Sequence, residues 1–423
     1  MSSLVELFPD TAALADGELS VAGIRFSDLA AEYGTPLVVY DEATILSSVH
    51  AYRAAAPDAL LVYGVKAFPN AAVLRLLADE GVGADVSTLG ELELALRAGM
   101  PGERLIVHGN NKSDEELAAA AGAEAAFVVV DALDEVERAA QAGVRRILVR
   151  VTPGVEADTH PSIQTAHEGS KFGLPPEDAL EALRQAREAG LETAGVHVHV
   201  GSQLMDARAG LATVDWIADL SVRCRDQLGW TPEVIDLGGG LGIQYVEGRA
   251  PQSIEDFVGE LRGRVSTAWA ERDLPQARLV LEPGRSLVGR AGVTVYEVGV
   301  VKRVAGDTTY VAVDGGMSDN PRPQLYGARY AALLANRASE PATEPYTITG
   351  KHCEEEIIIR QVLLPEPRRG DVLAIPATGG YTLAMASNYN LVPRPAAVLV
   401  GDGSARLIRA RETLDDLLRL DCW

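Results

Sequence analysis

Four short segments carry residues whose types and spacing suit chemistry. The first is Tyr-Gly-Val-Lys-Ala-Phe-Pro-Asn at 63–70, where Lys66 closes an apolar run. Burying an ammonium is costly, so such a lysine either reaches back to solvent or is an amine of lowered pKa, able to form a Schiff base with a carbonyl. The second is Gly-Val-His-Val-His-Val-Gly-Ser-Gln at 195–203. His197 and His199 stand two apart, so on a strand they face one side. Either could be a satisfied core histidine, and without a carboxylate cluster nearby they make a weak metal signal, so no metal is expected. Gly201 and Ser202 would then offer backbone N–H groups and a hydroxyl to an anion. The third is Asp-Leu-Gly-Gly-Gly-Leu-Gly-Ile at 236–243. It fits neither the dinucleotide glycine spacing nor a phosphate loop ending in Lys-Ser or Lys-Thr, yet its backbone N–H groups, Gly239 and Gly240 among them, can meet a phosphate. The fourth is Glu-Pro-Gly-Arg at 282–285. Glu282 can hydrogen-bond a protonated ring nitrogen, or simply pair with Arg285.

An amine, a histidine able to stack on a ring, a glycine cluster for a phosphate and a carboxylate for a ring nitrogen together suit pyridoxal 5'-phosphate. The lysine supplies the imine, the phosphate is the anchor, and the carboxylate keeps the pyridine nitrogen protonated so that the ring takes up electrons.

The elements that must hold these residues follow from texture. Runs rich in Val, Ile and Leu at 60–66, 83–87, 104–108, 126–131, 146–151, 195–200, 234–237 and 279–282 are predicted as buried strands. Helical spacing fills the gaps, most clearly at 71–78, 89–98, 113–121, 133–142, 176–189 and 206–228. Eight such units predict a (β/α)8 barrel. An open doubly wound sheet is the rival, and the polar residues decide against it. Lys66, Asp85, His108, Asp131, Arg150, His199, the glycine cluster and Glu282 all fall at the C-terminal ends of strands, which converge in a barrel and spread out along a sheet. After about residue 286 the texture turns β-rich, at 292–301, 308–313, 346–348, 356–363, 371–375 and 396–400. The expected division is a barrel over 32–286 and an all-β, barrel-like domain from 287–423, with 1–31 contributing a strand to it.

Composition narrows the setting. The chain has 423 residues, 47% of them hydrophobic, and a net charge of −22. That acidity speaks against nucleic acid and anionic membrane as partners. Cys224, Cys353 and Cys422 are the only cysteines, a count that fits a reducing compartment rather than a disulfide framework. The first ten residues lack the pattern of a signal peptide, and no apolar stretch reaches the roughly 18–20 residues that span a bilayer. A soluble, cytoplasmic protein is expected.

These motifs resemble the fold-type III pyridoxal-phosphate decarboxylases, most closely the diaminopimelate decarboxylases of bacterial lysine biosynthesis. The more discriminating matches lie late in the chain. They are Asp-Gly-Gly-Met-Ser-Asp-Asn-Pro-Arg-Pro-Gln-Leu-Tyr at 314–326, Gly-Lys-His-Cys-Glu at 350–354 and Gly-Gly-Tyr-Thr-Leu-Ala-Met-Ala-Ser-Asn-Tyr-Asn at 379–390. Residues 160–173 resemble the family's flexible barrel loop. The resemblance implies that Lys66 carries the cofactor and His199 stacks on its ring. It implies that Ser202, Gly239, Gly240, Gly284 and Arg285 bind the phosphate, and that Glu282 meets the ring nitrogen. Tyr381 would touch cofactor and substrate. Arg285, Arg322, Tyr326 and Glu354 would hold the substrate's far end, the arginines taking a carboxylate and Glu354 an ammonium. Cys353 would be the proton donor, working in the barrel of a partner subunit, so the implied unit is a homodimer with shared sites. The implied reaction converts meso-2,6-diaminopimelate to L-lysine and carbon dioxide. One departure bears on substrate: where the family reads Cys-Glu-Ser-x-Asp, this chain reads Cys-Glu-Glu-Glu-Ile at 353–357. A same-family decarboxylase for another free or carrier-bound amino acid stays open beside it. A racemase would need acid/base groups on both faces of Cα, and a non-catalytic homologue would have no use for Lys66 and Cys353.

Overall fold

The computed structural model describes residues 2–153, 170–304, 306 and 308–422. The chain divides into two compact units. One comprises Ser48–Gly242 and Pro251–Gly284; the other Met1–Ser47, Ile243–Ala250 and Arg285–Trp423.

The first unit is a closed barrel of eight parallel strands: Leu60–Gly64, Gly83–Val86, Leu105–Val107, Phe127–Val130, Arg146–Arg150, Glu192–His197, Val234–Asp236 and Arg278–Leu281. Each pairs with its neighbour in sequence, and the last closes on the first through Val280 opposite Leu60. All eight predicted strands are present, and the closure excludes the open sheet. The strands are apolar on both faces because helices cover the outside while Val62, Ile106, Phe127, Val129, Leu148, Ala194, Val234 and Val280 fill the inside.

Helix starts follow local chemistry. Asn70 accepts from the N–H groups of Ala72 and Val73, Thr88 from Glu91, and Ser113 forms a capping box with Glu116. Gly229, at φ +60°, ends the long helix Arg208–Leu228. Helix Ile254–Glu271 is absent from the clearest sequence set, although Ser253 caps it and Phe257, Leu261, Val265 and Ala268 are all buried along one stripe.

In the second unit, strand Gly292–Arg303 is the spine. It pairs antiparallel with Leu37–Asp41, Thr309–Val313 and Val372–Ile375. Ala396–Gly401 runs parallel to Leu37–Asp41, and Glu344–Thr349 pairs with Thr309–Val313 and Ile359–Leu364. The unit thus takes residues 32–47, which the sequence reading assigned to the barrel. Leu37–Asp41 is buried on both faces and reads like a barrel strand, but its partners are sheet strands on either side. The N-terminal residues contribute differently from the expected single strand. Ala13–Ala15, Glu18–Val21 and Ile24–Arg25 form their own small sheet, and Phe8, Leu19, Val21, Phe26 and Leu29 pack into the core with Val293 and Val398. The strand expected from 356 starts at Ile359, because Glu356 turns inward.

Candidate active site

At the C-terminal mouth of the barrel, Lys66 sits in the single turn Val65–Ala67 that follows the first strand. Val65 and Ala67 are fully buried and pin the turn, while about half of the lysine side chain is exposed. Its Nζ donates to Asp85 Oδ2 at 3.1 Å, from the end of the second strand. The other oxygen, Asp85 Oδ1, is buried without a hydrogen-bond partner, 3.8 Å from His108 Nε2. His108 Nε2 lies 2.7 Å from Glu282 Oε1, and Glu282 Oε2 lies 3.4 Å from His197 Nε2. The two imidazoles meet edge to face at 4.7 Å. A chain of charge therefore runs from the lysine through Asp85 and His108 to Glu282.

Burial by itself would raise the Glu282 carboxyl; His108 and His197 outweigh it and hold the group well below the usual carboxylate range. Asp236, also wholly buried and next to Glu282, goes the other way: burial first, then the Glu282 charge, push it well up. The pair thus divides into an ionised Glu282 and a protonated Asp236. Burial pulls His197 down to about 3, and burial with the nearby cations Lys66 and Arg150 pushes His199 well below its ordinary value. Both rings are neutral at physiological pH. His108, His197, Asp236 and Glu282 have the donor types of a metal centre, with ligating atoms all within 4.8 Å of one another. The 2.7 Å His108–Glu282 separation is a hydrogen bond, shorter than the roughly 3.3 Å between ligands around a tetrahedral ion with bonds near 2.0 Å.

The glycine cluster is shaped by backbone approach. Gly238 N donates to Asp236 Oδ1 at 2.8 Å and Gly239 N to His199 Nδ1 at 3.3 Å. A Cβ on Gly239 would fall 2.3 Å from the Glu282 carbonyl oxygen. Gly240 has φ +124°, and its Cβ would fall 2.7 Å from the Gly201 carbonyl. Only glycine fits there. Ser202 is half-buried in the neighbouring loop, and Gly284 is buried after the eighth strand. Of the loop at 160–173, residues 160–169 lie outside the described residues. At its end, Phe172 lies under the Arg150 guanidinium at 4.4 Å and Gly173 N donates to Asp131 Oδ1 at 3.1 Å.

The other expected residues lie in the β unit. Arg285 and Arg322 each open a short helix and are 7% exposed. Arg285 donates to the Tyr245 hydroxyl and stands 4.6 Å over the Tyr381 ring. Tyr381 holds φ +61°, a left-handed conformation that a tyrosine adopts at a cost. Arg322 donates to the Tyr330 hydroxyl at 2.6 Å and lies 4.7 Å over the Tyr245 ring. Tyr326 ends the Arg322 helix, half-buried. Cys353 and Glu354 are exposed and engage a different segment: Cys353 N donates to Asn390 Oδ1 at 3.0 Å, and the Tyr389 hydroxyl donates to Glu354.

The departure at 353–357 resolves into distinct environments. Glu356 is 3% exposed and takes N–H groups from Met317 at 2.5 Å and His352 at 3.0 Å, with His352 Nδ1 at 2.6 Å. It is a structural anchor. Glu355 is exposed. Sequence reasoning gave no role to Tyr245, Tyr330, Glu356 or Asn390. Tyr245 follows the glycine cluster by three residues, which is a hint of position and not of partner.

The conserved pattern of the pyridoxal-dependent decarboxylases, pyridoxal binding domain, matches residues 42–289. The chain belongs to this family. Along its whole length it is similar to the diaminopimelate decarboxylase of Actinosynnema pretiosum subsp. auranticum, 45% identical over 98% of this chain and 94% of that protein. The diaminopimelate decarboxylase of Bacillus subtilis is 40% identical over 96% of this chain and 95% of that protein. Among solved structures, the diaminopimelate decarboxylase of M. jannaschii in complex with L-lysine superposes with a TM-score of 0.92 at 32% identity, covering 98% of each chain. The Helicobacter pylori enzyme, also with L-lysine, gives 0.86 at 31% identity, over 94% of this chain and 99% of that one.

The cofactor is pyridoxal 5'-phosphate, and the barrel mouth fits it. An amine on a carboxylate, an ionised carboxylate buried between two imidazoles, and a glycine cradle that a Cβ would fill suit its aldehyde, ring nitrogen and phosphate in turn.

Proposed function

We propose that this protein is a decarboxylase of meso-2,6-diaminopimelate that releases carbon dioxide and L-lysine. The observation that carries the reaction type is the Lys66–Asp85–His108–Glu282 chain at the barrel mouth. When bound, the cofactor supplies an electron sink for the pair left behind as carbon dioxide departs. Lys66 would hold the cofactor through its aldehyde, and Asp85, 3.1 Å from Nζ, would steady the amine in its ammonium form. Glu282, kept ionised by the imidazoles, holds a proton on the ring nitrogen. His199, neutral, would stack on the ring. Ser202, Gly239, Gly240, Gly284 and the Arg285 backbone hold the phosphate, and Tyr381 adds a contact to cofactor and substrate. The Cys353 thiol delivers a proton to Cα, acting as the general acid.

For the far end of the substrate, Arg322 and Arg285 bind the second carboxylate, Tyr326 closes on it, and Glu354 takes the ammonium. The buried position of Arg322 beside tyrosines, and the similarity to named diaminopimelate decarboxylases over nearly the full length, support this substrate. A proton donor must work away from bulk water, whereas Cys353 is exposed in the single chain. A second copy of the chain would meet that need by covering it, which is the support for a homodimer with shared sites. No helix among the described residues is long and apolar enough to cross a membrane. With its few cysteines, this supports a cytoplasmic enzyme of lysine biosynthesis.

The test is carbon dioxide release by the purified, cofactor-loaded protein from meso-diaminopimelate beside ornithine, arginine, lysine and glutamate. Preferential release from diaminopimelate, with lysine as product, is expected. Release from another amino acid alone would retain the reaction and overturn the substrate. Lys66→Ala is expected to abolish both turnover and the visible absorbance of the lysine-bound cofactor, and a retained band would remove Lys66 from its role.

A further inference from the structure

The arginines assigned to the far carboxylate rest on tyrosines without a role so far. Arg322 is a cation with 7% of its surface exposed. Among the described residues no carboxylate comes within ion-pair distance of it; what acts on the guanidinium besides burial is tyrosine. Nη1 donates to the Tyr330 hydroxyl at 2.6 Å, and the plane lies 4.7 Å from the Tyr245 ring centre and 5.7 Å from that of Tyr330. The two rings brace each other edge to face at 5.4 Å. Tyr245 also accepts from Arg285, so one aromatic ring touches both arginines.

A buried cation is usually neutralised by a carboxylate. Here the neighbours are dipoles and π-faces, which steady a guanidinium without cancelling its charge. Burial pushes the Tyr330 phenol up to about 12, so it remains an O–H and never becomes a counter-ion in the physiological range. A carboxylate at this position would use up the cation. An alkyl side chain would let it swing. A tyrosine fixes its direction and leaves the full charge for a ligand.

We infer that Tyr330, braced by Tyr245, is a positioning residue that sets specificity for substrates with a carboxylate at the far end, by aiming Arg322. The inference rests on the diaminopimelate reading. L-Lysine and cadaverine separate the two ideas, because both carry the distal amine but only lysine keeps the far carboxylate. In the cofactor-loaded Tyr330→Phe enzyme, inhibition by lysine should weaken by about tenfold or more, the low end for a buried hydrogen bond to a charged group. KM for diaminopimelate should rise in step, more than kcat falls. Inhibition by cadaverine should shift by less than about twofold, since a merely looser fold would weaken both. An equal loss for lysine and cadaverine, or no loss for lysine, overturns the inference. Arg322→Gln is the companion variant. If it also leaves lysine inhibition intact, the far-carboxylate reading fails. If it abolishes lysine inhibition while Tyr330→Phe does not, the positioning role alone is wrong.

Discussion

Two buried cations in the two units are stabilised in opposite ways. Lys112, 2% exposed beside the barrel mouth, has a carboxylate and two carbonyls: Glu135 Oε1 at 2.8 Å, and the oxygens of Gly109 and Val129 at 2.7 Å each. Burial pulls its ammonium down and Glu135 pulls it back. Arg322, no more accessible to water in any useful degree, has phenols and rings. The same contrast extends to the surrounding residues. The barrel mouth engages its charges within itself, Glu282 held between His108 and His197 and Lys66 paired with Asp85, whereas the β unit leaves an arginine uncancelled and a thiol exposed. A charge that is balanced internally supports the fold. One that is left open at a cost in stability is available to a ligand.

The largest effect should come from breaking a balanced pair. Glu135→Gln leaves Lys112 buried beside a neutral amide and should cost about 3–5 kcal/mol of unfolding free energy. Arg322→Gln should change stability by no more than about 1 kcal/mol, or raise it, since it deletes a burial cost and no ion pair. Urea unfolding of both variants checks this. If Arg322→Gln proved as damaging as Glu135→Gln, the arginine would be a structural residue and the contrast would collapse.

Cys353→Ala probes the exposed thiol. Turnover should fall by at least about 10²-fold, the low end for general acid catalysis, with little change in the unfolding free energy of the chain because the thiol is exposed on it. Near-normal turnover would take Cys353 out of the reaction. Loss of stability with loss of turnover would mean that it serves an interface.

What the sequence made legible follows from periodicity. Eight apolar runs, with polar residues or glycines at or just beyond their C-terminal ends, predicted the barrel and the convergence of Lys66, His199, the glycines and Glu282, because strand direction determines which end of every run faces the mouth. The Asp85–His108–Glu282 connections were not legible. They depend on which rotamer bridges neighbouring strands, and nothing in a run of residues encodes that. The β unit was harder to read. Leu37–Asp41 lies over 250 residues from Gly292–Arg303, its antiparallel partner, and no local pattern announces such a pairing. Arg322 was found only through the resemblance around it. Tyr245 was missed because it meets the arginine across a long sequence separation, and Tyr330, eight residues on, because the chain between them has no regular period to mark the contact. Glu356 shows the reverse hazard. Noted in the sequence only as part of a departure from the family pattern, it is buried and engaged by Met317 and His352.

The smallest effect should come from the barrel's neutral histidines. His197 is buried with its pKa lowered to about 3, and His199 is lowered too. In the unfolded chain both titrate near 6.5. Above that pH neither state binds the proton and the histidines contribute nothing to the pH dependence. As pH falls below it the unfolded state takes up protons that the native state refuses, so stability is lost progressively toward the folded pKa. The slope is at most about 1.4 kcal/mol per pH unit for each such group. Between pH 6.5 and 5 Glu282, held below the ordinary carboxylate range, adds little, while Asp236, protonated in the native state and ionised in the unfolded chain, adds an opposing slope that a histidine variant shares with the parent. His197→Asn should therefore flatten the fall in melting temperature between pH 6.5 and 5, leaving the part due to His199. An unchanged slope would mean that His197 takes a proton in the native state. Glu282 would then face a cation in place of a neutral ring, and the charge balance ascribed to the barrel mouth would have to be redrawn with His197, and not Lys66, as its principal cation.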